Sequence, residues 1–259
     1  MSDGLLRISK LFGLVLALGV SMSAEAGFLG FGGTSWKEEV LLHDGSKIIV
    51  ERTVERGGRH EIGQRPSFIE QSLSFVLPST NKRITWEDHF SEDLGNSSFN
   101  PMLVEIFGNT AYVLSSPAGC LSYNKWGRPN PPYVVFKYED EVWKRIPMQE
   151  LPAEIKLPNL VISSPDDVAK NAKHGVVSAE MIKHENEGFG QPQYRSILRE
   201  AIANAGGSRC DKMIPYGKGG WLGLDWFSDQ PTYEACLKFC EEKGVSPQNC
   251  PCTTLFKGK

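Results

Sequence analysis

Val40-Leu41-Leu42-His43-Asp44-Gly45-Ser46-Lys47-Ile48-Ile49-Val50 places an Asp-Gly pair between two apolar runs rich in β-branched residues. Asp-Gly there is a strong two-residue turn signal, because glycine accepts the positive φ that a tight hairpin demands. The same grammar recurs on either side. Ile69, Leu73, Phe75 and Leu77 alternate before Pro78-Ser79-Thr80-Asn81, and Ile84 and Trp86 alternate after it. Met102 to Phe107 meets Tyr112 to Leu114 across Gly108-Asn109, and Val134, Phe136 and Tyr138 meet Val142 to Ile146 across Glu139-Asp140-Glu141. These are about eight strands in four hairpins. Period-two alternation leaves each sheet one apolar face, which a second sheet or closure must cover. The expected β domain, residues 36–146, is therefore an antiparallel sandwich or a small barrel. A propeller needs about 40 residues per blade and at least four blades, more than this stretch holds.

Beyond it, Pro147, Pro152, Pro158 and Pro165 punctuate Leu151, Ile155, Leu157, Leu160 and Ile162. Residues 147–175 read as an extended linker lying along the β domain, with a further strand at 159–163 and a short polar helix at 166–173. Residues 176–259 read as a helical, cysteine-rich region. Tyr194, Ile197, Leu198, Ala201 and Ile202 fall at helical spacing, with Pro192 before them and Gly206-Gly207 after. Two more helices are expected, from Ser178 to about Glu187 and over 232–243, the latter closed by Gly244. The fold class is α+β.

The first residues have a different logic. Arg7 and Lys10 precede an apolar run from Leu11 to Met22, and Ala24-Glu25-Ala26 offers a small-x-small cleavage site. Residues 1–26 thus read as a secretory signal peptide. The run is short of the roughly 20 residues needed to span a bilayer, so no stable span is expected after cleavage. An uncleaved signal anchoring the chain to the inner membrane is the alternative. Residues 27–35 follow as a glycine-rich leader with neither the preceding strand nor the Gly-Lys-Ser/Thr ending of a phosphate loop. The expected location is periplasmic or secreted.

Composition excludes several classes. With 40% hydrophobic and 23% charged residues the chain is globular, and a net charge of −3 gives no footprint for nucleic acid. His184-Glu185-Asn186-Glu187-Gly188 lacks the second histidine of a zinc-protease helix, and no G-x-S-x-G, C-x-x-C or C-x-x-C-H occurs. No metal or cofactor is expected. Asp88 and His89 are the nearest approach to an acid–base pair, and His60 sits in a basic turn.

Five of the six cysteines lie between 210 and 252. Cys236 and Cys240 would share one face of the last helix about 6 Å apart, and Cys250 and Cys252 would share one face of an extended segment about 6.6 Å apart. With an export signal, disulfides outweigh metal. The order C-x-x-x-C then C-x-C resembles the cysteine-stabilised αβ motif of defensins and scorpion toxins, over residues 236–252 alone. That resemblance implies Cys236–Cys250 and Cys240–Cys252 bonds between a helix and a strand. It leaves Cys120 to pair with Cys210. Only connectivity is carried over, with no toxin or antimicrobial activity.

The stretch Tyr216 to Phe227 holds four glycines and two tryptophans. Trp221, Asp225 and Trp226 are the candidate binding residues, since aromatics beside an acid suit a sugar or peptide partner. Buried packing of both tryptophans is the competing reading. The functional expectation is a non-catalytic envelope or extracellular binding or structural module, whose partner is a protein or carbohydrate of the cell envelope. The alternative is an exported hydrolase with a dispersed active site.

Overall fold

A computed structural model describes residues 33–58, 60–172, 175–206 and 210–257; the expected signal segment and leader residues 27–32 lie outside them. The four anticipated hairpins all form. They are β1 (Thr34–Leu41) with β2 (Lys47–Gly57), β3 (Ser67–Leu77) with β4 (Lys82–Asp88), β5 (Phe99–Phe107) with β6 (Thr110–Pro117), and β7 (Val134–Glu139) with β8 (Val142–Ile146). The first turn is longer than two residues. Leu41 pairs with Lys47, Leu42 N–H donates to Ser46 O at 2.8 Å, and Gly45 takes φ +84°. At Asp140 and Glu141 both φ values are positive, 52° and 65°, which matches a primed hairpin turn made without glycine.

Strand order is β4-β3-β2-β1-β9 in one sheet, where β9 is Val176–Val177, and β5-β6-β7-β8 in the other. Val40, Val50, Leu73, Phe75, Ile84 and Trp86 of the first sheet pack against Phe99, Val104, Ile106, Val113 and Val134 of the second. The architecture is thus a sandwich. Trp86, Phe99, Trp126 and Phe136 form an aromatic knot at one end, with ring centroids 4.6–6.1 Å apart.

The proline-punctuated segment does lie along the sandwich. Leu151, Ile155, Ile162 and Ile197 cover the back of the second sheet, over Met102, Leu103, Leu114 and Val135. No strand forms at 159–163. Asn159 and Leu160 N–H groups instead both donate to Met102 O, at 3.0 and 3.1 Å. The Asn159 amide accepts from Val104 N–H and donates to Val104 O and Leu41 O, bridging the two sheets. Val161 is gripped by an inward-facing polar pair. Glu38 accepts from Val161 N–H at 3.0 Å and from Trp36 Nε1 at 2.8 Å, while Arg52 donates to Val161 O at 2.7 Å.

Helices α1 (Gly119–Lys125), α2 (Pro165–Lys170) and α3 (Ala179–Glu187) are short; α3 falls where a helix from Ser178 to about Glu187 is expected, and Ser178 caps it. The helix expected across 194–202 does not form. Only α4 (Pro192–Arg195) is helical, and Ser196 is extended at φ −147°, ψ 153°. The backbone there bonds elsewhere. Ile197 N–H donates to Lys156 O, and Arg199 caps the carbonyls of Leu151, Pro152 and Ile155. The i, i+3, i+4 spacing of Tyr194, Ile197 and Leu198 reflects burial against the second sheet and not a helical face.

Candidate functional site

The tail is a small module with its own core. A hairpin of β10 (Met213–Tyr216) and β11 (Gly220–Gly223) leads into α5 (Asp225–Ser228), then α6 (Tyr233–Glu242) and α7 (Cys252–Leu255). Thr232 caps α6 by accepting from Ala235 N–H at 3.1 Å, and Gly244 ends it at φ +66°. Gly217 sits against Gly244, where a Cβ would lie 2.9 Å from the Gly244 carbonyl oxygen, so only glycine lets the hairpin tip meet the helix end. Phe227, Ile214, Val245, Cys236, Cys240 and Cys252 form the core.

All six cysteines are bonded, and Cys120 pairs with Cys210. The other two bonds differ from the implied connectivity: they are Cys236–Cys252 and Cys240–Cys250. The reason is local. Pro251 is helical at φ −86°, ψ 0°, and Cys252 opens α7, so residues 250–252 are a turn and not a strand. Residues two apart on a helical turn point about 200° apart instead of to one side. The two bonds touch, with Cys240 and Cys252 sulfurs 3.6 Å apart. Cys236, Cys240 and Cys252 sulfurs also cluster within 4.8 Å, the compactness of a thiolate metal site. Sulfurs already joined in disulfides carry no thiolate charge and are poor metal ligands.

The three candidate binding residues fare differently. Trp226 is 53% exposed, and its ring stacks at 18° and 6.5 Å on Phe239. Phe239 in turn meets Phe227 edge-on at 5.2 Å and carries the Lys243 ammonium 5.4 Å above its ring. Asp225 is exposed at the start of α5, its carboxylate folded over Gly223. Trp221 is half-buried on β11 opposite Pro215, with its Nε1 buried and unpaired. Trp226 is therefore presented outward on a braced base, while Trp221 packs. Tyr233 and Leu237, 37% and 41% exposed, lie one turn apart on α6.

Asp88 and His89 do not converge. Alternation at the end of β4 sends Asp88 inward, where it accepts from Ser98 N–H, Phe99 N–H and Gln71 Nε2 and anchors the loop between the sheets. Burial pushes its carboxyl up, against those hydrogen bonds. His89 points outward to Glu70, whose hydrogen bond raises the imidazole pKa. His184 is exposed, while its neighbour Asn186 is buried and donates to Leu160 O. His60 is exposed and bonds Gly58 O.

A histidine and a carboxylate do meet elsewhere. Glu105 on β5, 2% exposed, contacts His43 Nδ1 at 2.9 Å and accepts from the backbone N–H of His43 and Ile106 at 3.0 Å each. Burial pushes the Glu105 carboxyl up, opposed first by the His43 hydrogen bond. His43 stacks on Phe107 at 4.9 Å and lines a cavity of about 310 Å³ with Ser46 and Ser79. A buried carboxylate held against a histidine Nδ1 is also the arrangement by which triads orient a base. Ser46 Oγ donates to Asp44 at 2.6 Å, so it is committed away from the imidazole. Sixty-two residues separate His43 from Glu105, and nothing local in the sequence links them.

The fold and these sites define an α+β protein, an antiparallel sandwich followed by a disulfide-braced helical tail. Three disulfides with no free cysteine among the described residues point to an oxidising compartment. No described helix is long and apolar enough to cross a membrane. No protein family, curated protein or solved structure matches the chain.

Proposed function

We propose that this protein is exported through its first 26 residues, cleaved after Ala26, and acts in the periplasm or outside the cell as a non-catalytic binding module. The reading is carried by Trp226. A large aromatic face is held outward on a module cross-linked by two disulfides, so little side-chain or backbone entropy is lost on docking. Rigid, exposed tryptophan is the commonest kind of energetic anchor in recognition surfaces. Its partner is a protein or carbohydrate of the cell envelope. The test is co-sedimentation of purified protein with insoluble polysaccharide and with envelope protein fractions. One fraction should retain the wild type, and Trp226→Ala should release it. Equal retention of both forms, or none in either fraction, overturns the reading.

A second reading has its own observation, the His43–Glu105 pair at a cavity. A hydrolase would use His43 as general base with Glu105 fixing its tautomer. Turnover of an ester, peptide or glycoside panel that disappears in His43→Ala would establish it in place of the binding module.

A further inference from the structure

One cavity has a charge pattern that neither reading uses. It holds about 460 Å³ where the chain entering β7, the end of β8 and the Pro147–Gln149 turn meet Arg199. Two arginines, Arg145 and Arg199, line it, and no lining residue is acidic. Neither arginine has a carboxylate partner among the described residues, although the field of Glu154 reaches Arg199. Their roles differ. Arg199 spends its terminal nitrogens on backbone carbonyls of Leu151, Pro152 and Ile155, which fix the charge in place without neutralising it. Among the described residues the Arg145 side chain makes one hydrogen bond, to Trp126 O at 3.1 Å, and its guanidinium lies 5.4 Å over the Trp126 ring. A guanidinium has five N–H donors in a rigid fork, so most of those of Arg145 remain for a ligand. The guanidinium itself lies over the tryptophan ring, which pre-orients the fork. The remaining walls mix apolar groups, among them Pro129, Pro131, Ile146 and Pro147, with the polar Asn130 and Gln149.

We propose that this cavity binds a small organic carboxylate, gripped bidentately by Arg145 and attracted by the fixed charge of Arg199. A planar carboxylate matches the fork, and prolines and Ile146 suit the apolar body to which it is attached. The site stands independently of Trp226 and of His43.

The test is an amide-resolved NMR titration of the full, oxidised chain. Benzoate is the probe, and benzamide is its uncharged counterpart. Benzoate should shift the amides of Tyr133, Ile146 and Gln149, and benzamide at the same concentration should not. Arg145→Gln should weaken benzoate at least tenfold, about 1.4 kcal/mol. Arg145→Lys should fall between, because it keeps the charge and loses the fork. Arg145 is exposed on a strand edge, so both variants retain the fold. Acetyl-alanyl-alanine and glucuronate separate the sources: the tighter binder marks a peptide C-terminus or an acidic sugar. Equal shifts with benzamide, wild-type affinity in Arg145→Gln, or tighter binding of inorganic phosphate than of any carboxylate overturns the assignment.

Discussion

Replacing Glu38 by leucine leaves Arg52 charged and buried without its counter-ion. Glu38 is 0% exposed and Arg52 1%, and burial pulls the arginine pKa down against the pull of Glu38. An unpaired buried charge costs about 3–5 kcal/mol. The same change orphans Val161 N–H and Trp36 Nε1, each worth about 1–3 kcal/mol, with overlap between the terms. The expected loss is about 4–6 kcal/mol, a large part of the roughly 5–15 kcal/mol a domain possesses. Arg52→Met is milder, about 2–3 kcal/mol, because Glu38 keeps its two N–H donors, from Val161 and Trp36. At 3.4 Å the Arg52–Glu38 contact is itself long, so most of the coupling is charge compensation and not a hydrogen bond. Glu38→Leu/Arg52→Met together should therefore cost about 3–4 kcal/mol, well short of the two single losses combined. Urea unfolding of disulfide-intact protein measures all three, with Glu38→Gln as a milder member if Glu38→Leu does not fold. A Glu38→Leu loss below about 1 kcal/mol, or strict additivity in the double variant, would show that water reaches the pair and that Val161 is held by packing alone.

Three other outcomes are expected. Trypsin cleavage after Lys238 separates Cys236 from Cys240, while Cys250 and Cys252 stay on one peptide, so electron-transfer fragmentation of the linked peptides reads the pairing; Cys236–Cys252 should appear, and Cys236–Cys250 would contradict the turn at Pro251. Cys120→Ser/Cys210→Ser opens a loop of separation 90 and should cost up to about 4.7 kcal/mol by the chain-entropy estimate, seen as a lower urea midpoint. Burial raises the Asp166 carboxyl, but Arg56 and Arg65 outweigh it and leave the pKa below the ordinary aspartate value. Its contribution is then complete above about pH 4 and drains away as pH falls through the lowered folded value. Asp166→Asn should be less stable than wild type at neutral pH, and the gap should narrow steadily as pH is taken below about 4.

The β framework was legible because each hairpin carries its own turn chemistry next to alternating apolar residues. Once Leu41 is set opposite Lys47, the inward positions of β1 and β2 follow, and Glu38 and Arg52 are visible as polar residues on an apolar face. What they bind, Val161, was not visible, because that partner lies more than a hundred residues away. The stripe at 194–202 misled for a related reason. Burial against a sheet and burial along a helix can select the same spacing over two turns, and only competing backbone partners such as Lys156 O decide between them. The cysteine pairing turned on Pro251, whose effect is to bend the chain and so exchange the partners. Trp226 was singled out by composition alone. Its exposure depends on Phe239 and Phe227 beneath it, which local sequence does not order.

Asn159 touches the rims of both sheets, β9 lies along β1, and Trp143 Nε1 donates to Thr85 O on β4 at 2.7 Å. Strand margins left bare invite a second copy to add on, and then a third. Here three of the four margins are at least partly blocked from within the chain, and the remaining one, β8, carries Lys144 and Arg145. Lateral polymerisation would have to begin at that margin, where Lys144 is already held by Asp140 and Glu139 and an added strand would have to displace or accommodate the Arg145 side chain.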